Sequence, residues 1–127
     1  MNVLLFSTRS DPALEEVHQL ALAQEPVEEV AVARSVEGLK RQLRSPTGQP
    51  DLAVLAVHRN RELAELLWMS QLLDPARIVL VLPTWDAATV ALAHNLRPRF
   101  LAYADGDPAA LMAVVMKMIE QSEPAYR

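Results

Sequence analysis

The sequence predicts a three-layer α/β domain built on a doubly wound, five-stranded parallel sheet with strand order 2-1-3-4-5. Short apolar runs alternate with amphipathic segments along the whole chain, which gives five strand–helix units, (βα)5, in 127 residues. The central runs are apolar throughout, as expected for parallel strands covered by helices on both faces. Alternating strands and helices favour right-handed crossovers, and five such units suit this strand order.

Short aliphatic runs mark the five predicted strands, and turn or capping residues bound each run. The third run is apolar on both faces, which indicates a central strand between two helical layers. In chain order the predicted strands are residues 3–7, 27–33, 51–57, 78–82 and 100–104.

Capping residues mark where each of the five predicted helices begins. Pro12 and Pro108 each follow an Asp, and proline suits the first helical position because its missing amide has no helical partner. The loop at 45–50 ends the second helix, Asp74-Pro75 ends the third, and the fourth extends to about Asn95. The predicted caps are Asp11, Ser35, Asn60, Thr84 and Asp107.

Length and composition predict one globular domain at residues 1–120, followed by a polar tail at 121–127. Hydrophobic residues make up 51% of the chain and charged residues 22%, which excludes a disordered composition. The net charge of −4 gives no excess of basic residues, so we do not expect the chain to bind nucleic acid.

The residues that the sequence lacks exclude several kinds of site. There is no Cys for a disulfide or a thiolate, and three Gly cannot form a phosphate-binding or dinucleotide-binding fingerprint. No set of metal ligands is evident, so we expect neither a metal nor a cofactor. No stretch approaches the roughly 18 apolar residues of a membrane helix, and the first residues lack the basic start of a signal peptide. We therefore expect a cytoplasmic protein.

Polar residues follow the first and third predicted strands, where the carboxyl ends of parallel strands form a ligand crevice in such sheets. A loop that enters a helix N-terminus offers free amides to an anion, and arginines add charge. The simpler interpretation, that the residues after the first strand only cap the first helix, stays open. Asp86 and Asp105 are candidate carboxylate partners for His58. The candidate crevice residues are Ser7, Thr8, Arg9, His58, Arg59 and Asn60.

The third predicted strand and the residue before it, Pro-Asp-Leu-Ala-Val-Leu-Ala at 50–56, resemble the Pro-Asp-Leu-x-x-x-Asp motif of response-regulator receiver domains. The order of elements is similar over nearly the whole chain. The resemblance implies a flavodoxin-like fold and a role in signal transduction. In the family the last Asp of the motif takes the phosphoryl group, whereas this position is Ala56 here.

The other phosphorylation-site positions also depart from the family pattern. The family's acidic pair, which holds Mg²⁺ through carboxylate oxygens, falls on Ser7 and Thr8. Its Thr or Ser after the fourth strand falls near Pro83, and its Lys falls near Tyr103. Because Ala56 has no nucleophile, the resemblance implies a pseudo-receiver that is neither phosphorylated on Asp nor an enzyme.

The last two predicted helices are more apolar than one sheet face can cover. Lys117 is the only charge between 109 and 119, whereas a surface helix ordinarily has one apolar stripe. Exposed apolar surface of this kind marks interfaces, and Met is over-used at adaptable binding surfaces. In the receiver family, the surface of the fourth helix, fifth strand and fifth helix is a common dimerisation face. The candidate interface residues are Val90, Leu92, Leu111, Met112, Val115, Met116 and Ile119.

We therefore predict a non-enzymatic signalling module that acts through homodimerisation or through docking of a protein partner on its last two helices. A broad core stripe is the alternative interpretation of these helices, and ordinary packing is the expected role of Trp68 and Trp85. The alternative function is a sensor that binds a small anion or a nucleotide at the carboxyl ends of strands 1 and 3. An enzyme is the weakest hypothesis, because no nucleophile, carboxylate pair or metal-ligand set converges on the crevice.

Overall fold

The computed structural model of the chain describes residues 1–46, 49–74 and 76–121. Its centre is one parallel sheet with strand order 2-1-3-4-5, which confirms the predicted fold class. The strands are β1 (Asn2–Ser7), β2 (Glu29–Ala33), β3 (Leu52–Ala56), β4 (Arg77–Leu82) and β5 (Phe100–Tyr103). In the sheet Ser7 pairs with Ala56 and Ala56 with Val81, so the carboxyl ends of the central strands meet at one edge.

Helices cover both faces of the sheet. They are α1 (Pro12–Leu22), α2 (Val36–Arg44), α3 (Asn60–Trp68), α4 (Ser70–Leu73), α5 (Ala87–Ala93) and α6 (Pro108–Gln121). Helices α1 and α6 pack on one face, and α2 to α5 pack on the other. A 3₁₀ turn, His94–Leu96, follows α5 and ends at Arg97, whose φ of 55° lies in the left-handed region. No helix in the described ranges is long and apolar enough to cross a membrane.

Local hydrogen bonds shift some of the predicted element boundaries. The third predicted helix is interrupted at Met69, which leaves the helical conformation with φ −108° and ψ 21°, so that α3 and α4 are separate. The amide of Val27 donates to the carbonyl of Gln24 in a turn, and the second strand therefore begins at Glu29 rather than at 27. Pro75, two residues of the predicted 45–50 loop (47–48) and tail residues 122–127 lie outside the described residues.

Two of the predicted helix caps are wrong because their side chains have other partners. Asn60 is the first residue of α3, and its Oδ1 atom accepts a hydrogen bond from the Thr89 hydroxyl at 3.2 Å. The Thr84 hydroxyl donates to Asp86, and Asp86 caps α5 by accepting from the Thr89 amide at 2.9 Å. The other predicted caps accept backbone amides as expected; they are Asp11, Ser35 and Asp107.

Part of the candidate interface belongs to the core. Leu111, Val115 and Ile119 are buried against the sheet together with α1, so the prediction that they form an exposed surface is wrong. Residues four apart share one helix face, and these three form an ordinary core stripe. Met112 and Met116 lie beside this stripe and are partly exposed.

Both tryptophans are exposed, contrary to the expectation of ordinary packing. Trp68, the last residue of α3, is 90% exposed, and Trp85, in the loop before α5, is 69% exposed. The ring centroid of Trp85 lies 5.4 Å from that of Tyr103 on β5, with the ring planes tilted by 44°. This separation is within the range of favourable aromatic pairs, so the two rings form a surface unit beside the edge strand.

Candidate functional site

The carboxyl edge of the sheet brings together the positions after β1 and β3, as the sequence predicts. Ser7 ends β1 directly opposite Ala56, the last residue of β3. Ala56 is 1% exposed and packs with the apolar residues beneath α1 and α6. Ala56, which the sequence resemblance predicts to be at the phosphoryl-acceptor position, therefore offers a methyl group within the core layer and no nucleophilic atom.

A buried carboxylate, Glu62, organises the polar residues at this edge. The side chain lies in the first turn of α3 and the residue is 8% exposed. Its Oε2 atom accepts a hydrogen bond from the Thr8 hydroxyl at 2.6 Å, and its Oε1 atom accepts one from the backbone amide of His58 at 2.9 Å. Both carboxylate oxygens are thus satisfied, and they tie the loop after β1 to the loop after β3.

The surroundings of Glu62 favour its ionised form. Burial by itself raises the pKa of this carboxyl, because the charged form loses hydration. The hydrogen bonds from Thr8 and from the His58 amide, together with the charges of His58 and Arg59, outweigh burial and hold the pKa of Glu62 below its ordinary value. The centre of the site is therefore an anion at neutral pH.

The hydrogen-bond directions show what Ser7 can do. Its hydroxyl lies 2.6 Å from the Arg9 carbonyl, and since a carbonyl has no proton, the hydroxyl donates there. The Ser7 Oγ atom also lies 2.9 Å from His58 Nε2, so it accepts a hydrogen bond from a protonated Nε2. A histidine that donates to a serine cannot remove its proton in this arrangement, and the pair is not set up as a nucleophile and its base.

Asp11 is the second carboxylate near His58. Its Oδ1 atom accepts from the amides of Ala13 and Leu14 as the cap of α1, and its Oδ2 atom lies 3.9 Å from His58 Nε2. Ser7 and Asp11 approach the same ring nitrogen, whereas a catalytic triad places them on opposite nitrogens. Among the described residues no group of three or more His, Asp or Glu side chains is arranged to hold a metal ion.

The predicted crevice residues are only partly brought together. Ser7, Thr8 and His58 meet at the edge of the sheet, while Arg9, Arg59 and Asn60 are exposed, and Asn60 turns to α5. Within the described residues, the polar partners of the His58 ring are Ser7 and Asp11, rather than the candidate partners Asp86 and Asp105.

Sequence reasoning missed Glu62, although a signal for it was present. Glu62 follows Arg59, the residue before α3, by three positions, which is the spacing of a capping-box glutamate. In the structure this side chain reaches back to the amide of His58, one residue before the cap.

The two remaining predicted phosphorylation-site positions lie after β4 and on β5. Pro83 follows the end of β4. Tyr103 packs against the sheet face covered by α2 to α5, whereas Ala56 belongs to the opposite face. The ring of Tyr103 pairs with Trp85, so Tyr103 does not face Ala56.

No family model and no curated protein matches the chain, but solved structures do. A response regulator receiver protein from Pseudoalteromonas atlantica aligns with a TM-score of 0.76 and 13% identity, over 97% of this chain and 100% of that one. A CheY-like response regulator from Mesorhizobium loti aligns with a TM-score of 0.69 and 16% identity, over 93% and 97%.

The isolated REC domain of RcsB from Salmonella enterica serovar Typhimurium, solved with the phosphomimetic BeF3⁻, aligns with a TM-score of 0.72 and 12% identity. This alignment covers 97% of the present chain and 90% of the REC domain. At identities this low, the alignments show a shared architecture only. The chain has the fold of response-regulator receiver domains.

Proposed function

We propose that the chain is a non-enzymatic signalling module of pseudo-receiver type, which acts through protein contacts and is not phosphorylated on Asp. The observation that carries this proposal is that uncharged residues stand at the carboxyl edge of the sheet where receiver domains have acidic residues. Ala56 offers no acceptor, and Ser7 and Thr8 offer no charge for Mg²⁺. The one buried carboxylate there, Glu62, is already held by two hydrogen bonds.

The arrangement around Glu62 favours a structural role for this carboxylate over a role as a replacement phosphoryl acceptor. A carboxylate that attacks a phosphoryl group needs a free oxygen and a cation to neutralise the incoming charge. Glu62 has a hydrogen bond on each oxygen, and among the described residues no group of three or more His, Asp or Glu side chains is arranged to hold a metal ion. We infer that Glu62 holds the loops after β1 and β3 together through its hydrogen bonds, where receiver domains bind a metal ion and a phosphoryl group.

A phosphodonor assay tests this half of the proposal. The whole chain is incubated with acetyl phosphate and Mg²⁺ and then analysed by intact mass spectrometry at neutral pH. The expected result is no mass increase, while a phosphorylatable receiver domain in the same tube gains one phosphoryl group. A stoichiometric adduct on this chain would contradict the proposal, and Glu62→Gln would then show whether Glu62 carries it.

The second half of the proposal concerns the edge strand β5 and the helices on either side of it. We define the β5 face as the partly exposed residues Val90, Leu92, Tyr103, Met112 and Met116 together with Trp85. Because β5 is the last strand of the sheet, its outer backbone edge has no partner strand within the described ranges. Exposed aromatic and Met side chains beside such an edge favour an interface.

We propose that a second copy of the chain covers the β5 face. A stable dimer of standard size needs about 800 Å² from each partner, roughly a tenth of the 7375 Å² that the described chain exposes. The fold's edge strand and its flanking helices can supply a patch of that order. A protein of another kind docked on the same residues is the competing outcome.

Sedimentation velocity tests this face with matched variants. Met112→Glu combined with Met116→Glu places charges on the β5 face and is expected to convert a dimer to a monomer. Leu22→Glu changes an apolar side chain that is 57% exposed at the end of α1, away from the face, and is expected to leave the dimer intact. A wild-type chain that stays monomeric at high concentration, or a double variant that stays dimeric, would contradict homodimerisation.

A small-anion sensor is the second candidate function, and one observation favours it. A cleft of about 100 Å³ on the β1–β2 side is lined by Arg9, Ser10 and Arg34, among others. The anionic Glu62 opposes a further anion beside Thr8 and His58, whereas Arg9 and Arg34 line the cleft on the β1–β2 side. Saturable amide shifts around Arg9 and Arg34 on addition of inorganic phosphate or ATP would favour this function over the interaction module.

A further inference from the structure

An apolar cleft of about 190 Å³ lies beside β5, on the sheet face covered by α1 and α6. Val81 and Leu111 form part of its wall and are buried, while Phe100 is partly exposed. The volume is slightly larger than the roughly 150 Å³ of an engineered cavity that accommodates benzene. It therefore suits a single ring with a short substituent.

Small residues explain why this space is empty. Five residues of the lining have a methyl side chain or none, so α6 and the start of α1 cannot close over β5. They are Ala13, Ala102, Ala104, Gly106 and Ala110. A Cβ atom at Gly106 would lie 3.0 Å from the Tyr103 carbonyl oxygen, so a side chain at this position in the loop before α6 would require the backbone to shift by a few tenths of an ångström.

Two carboxylates give the cleft its polarity. Asp11 and Asp107 both line it, and each caps a helix through its Oδ1 atom, which accepts backbone amides. Within the described part of the chain neither Oδ2 atom receives a hydrogen bond, and His58 Nε2 lies 3.9 Å from Asp11 Oδ2. No Lys or Arg lines the cleft.

The capped helix ends exclude the most obvious alternative, an anionic ligand. Uncapped amides at the starts of α1 and α6 would attract an anion. Here the two aspartates already accept those amides, so an incoming polar group meets carboxylate oxygens instead. A hydrogen-bond donor with positive charge complements these oxygens, and an apolar ring complements the walls.

The geometry points to a binding site for a small aromatic amine in this cleft, with the ring against Val81, Phe100 and Leu111 and the ammonium group between Asp11 and Asp107. Neither Glu62 nor Ala56 lines the cleft, but the cleft adjoins both, because Asp11 lies 3.9 Å from His58 and Val81 pairs with Ala56 in the sheet. The cleft and the β5 face share one residue, Tyr103. A ligand of this size is expected to bind with a dissociation constant of about 1 mM.

An NMR titration of the whole ¹⁵N-labelled chain with benzylamine tests the site, with benzyl alcohol as the neutral probe of matched shape. Saturable amide shifts are expected at Ala102, Ala110 and Leu111, with weaker binding of the alcohol. Asp11→Asn and Asp107→Asn keep a capping side chain and are each expected to weaken benzylamine binding about fivefold. Asp86→Asn removes the charge of a cap that does not line the cleft, and no change is expected.

A second pair of variants tests the cavity itself. Ala110→Leu, at an exposed lining position, is expected to abolish binding of both probes, and Ala109→Leu, next to it but outside the lining, is expected to leave binding unchanged. The absence of saturable shifts in the wild-type chain would overturn the site. Equal binding of amine and alcohol that is unaffected by both Asp→Asn variants would overturn the assignment of an amine. Tighter binding of benzoate would do the same.

Discussion

Replacing Glu62 by Ala should destabilise the fold more than any other single change of a charged residue at the carboxyl edge. The substitution leaves the Thr8 hydroxyl and the His58 amide without the acceptors that they have at 2.6 and 2.9 Å. Each unsatisfied buried polar group costs about 1–3 kcal/mol, and both sites are only partly buried. We therefore expect a loss of about 3 kcal/mol, a large share of the roughly 5–15 kcal/mol that stabilises a typical domain.

Urea unfolding followed by far-UV circular dichroism measures this loss. Intrinsic fluorescence is the poorer probe, because Trp68 and Trp85 are already exposed in the folded state. Glu65→Ala on the same helix is the matched control, since Glu65 has no hydrogen bond or ion pair among the described residues, and its effect should stay within about 0.5 kcal/mol.

A double-mutant cycle identifies the cause of the loss. Thr8→Val removes the hydroxyl that Glu62→Ala would leave unsatisfied, so the double variant should lose about 1 kcal/mol less than the sum of the two single variants. A loss for Glu62→Ala as small as that for Glu65→Ala, or strictly additive effects, would refute the reasoning that Glu62 links the loops after β1 and β3.

Four further predictions concern the ionisation of Glu62, the core, a helix cap and Trp85. Because the pKa of Glu62 is lowered by folding, its carboxylate stabilises the fold fully above the ordinary pKa of 4.5; the stability difference between wild type and Glu62→Gln should therefore narrow below this pH in urea titrations. Leu55→Ala, at a fully buried central position, should cost about 2–5 kcal/mol in the same assay. Ser35→Ala should cost about 1 kcal/mol by removing the cap of α2, whereas Trp85→Ser should leave the unfolding midpoint of a monomeric variant nearly unchanged.

The sheet could be predicted from the sequence because its strands are buried on both faces. Residues 52–56 are all buried, and this segment contains aliphatic residues only. Helix starts at Asp11 and Asp107 could be predicted too, since an Asp-Pro pair combines a cap with a proline at the first helical position. These signals are local, and local sequence is enough to encode them.

The centre of the candidate site could not be predicted in the same way. A glutamate near a helix start is ordinarily exposed, and the burial of Glu62 depends on Thr8, which is distant in sequence and meets it only in the folded sheet. For the last helix the spacing of Leu111, Val115 and Ile119 already indicated a core stripe, but the composition of the segment as a whole suggested an interface. Here the periodicity was the better guide.

The exposure of Trp85 shows a limit of another kind. A large aromatic residue after a strand ordinarily packs into the core, and the expectation of packing followed from that tendency. In the structure buried residues of β4 and α5 lie beside this loop, whereas Trp85 is exposed and, among the described residues, has Tyr103 as its aromatic partner. Tertiary packing decides which side chains near this loop enter the core.

The central claim, that this receiver fold works without phosphorylation, is tested most directly by an NMR titration of the ¹⁵N-labelled chain with Mg²⁺ and BeF3⁻. The REC domain of RcsB, whose structure was solved with this phosphomimetic, serves as the reference sample. Our account predicts no saturable amide shifts at Ser7, Thr8, Ala56 or His58. Saturable, Mg²⁺-dependent shifts at these residues would contradict it.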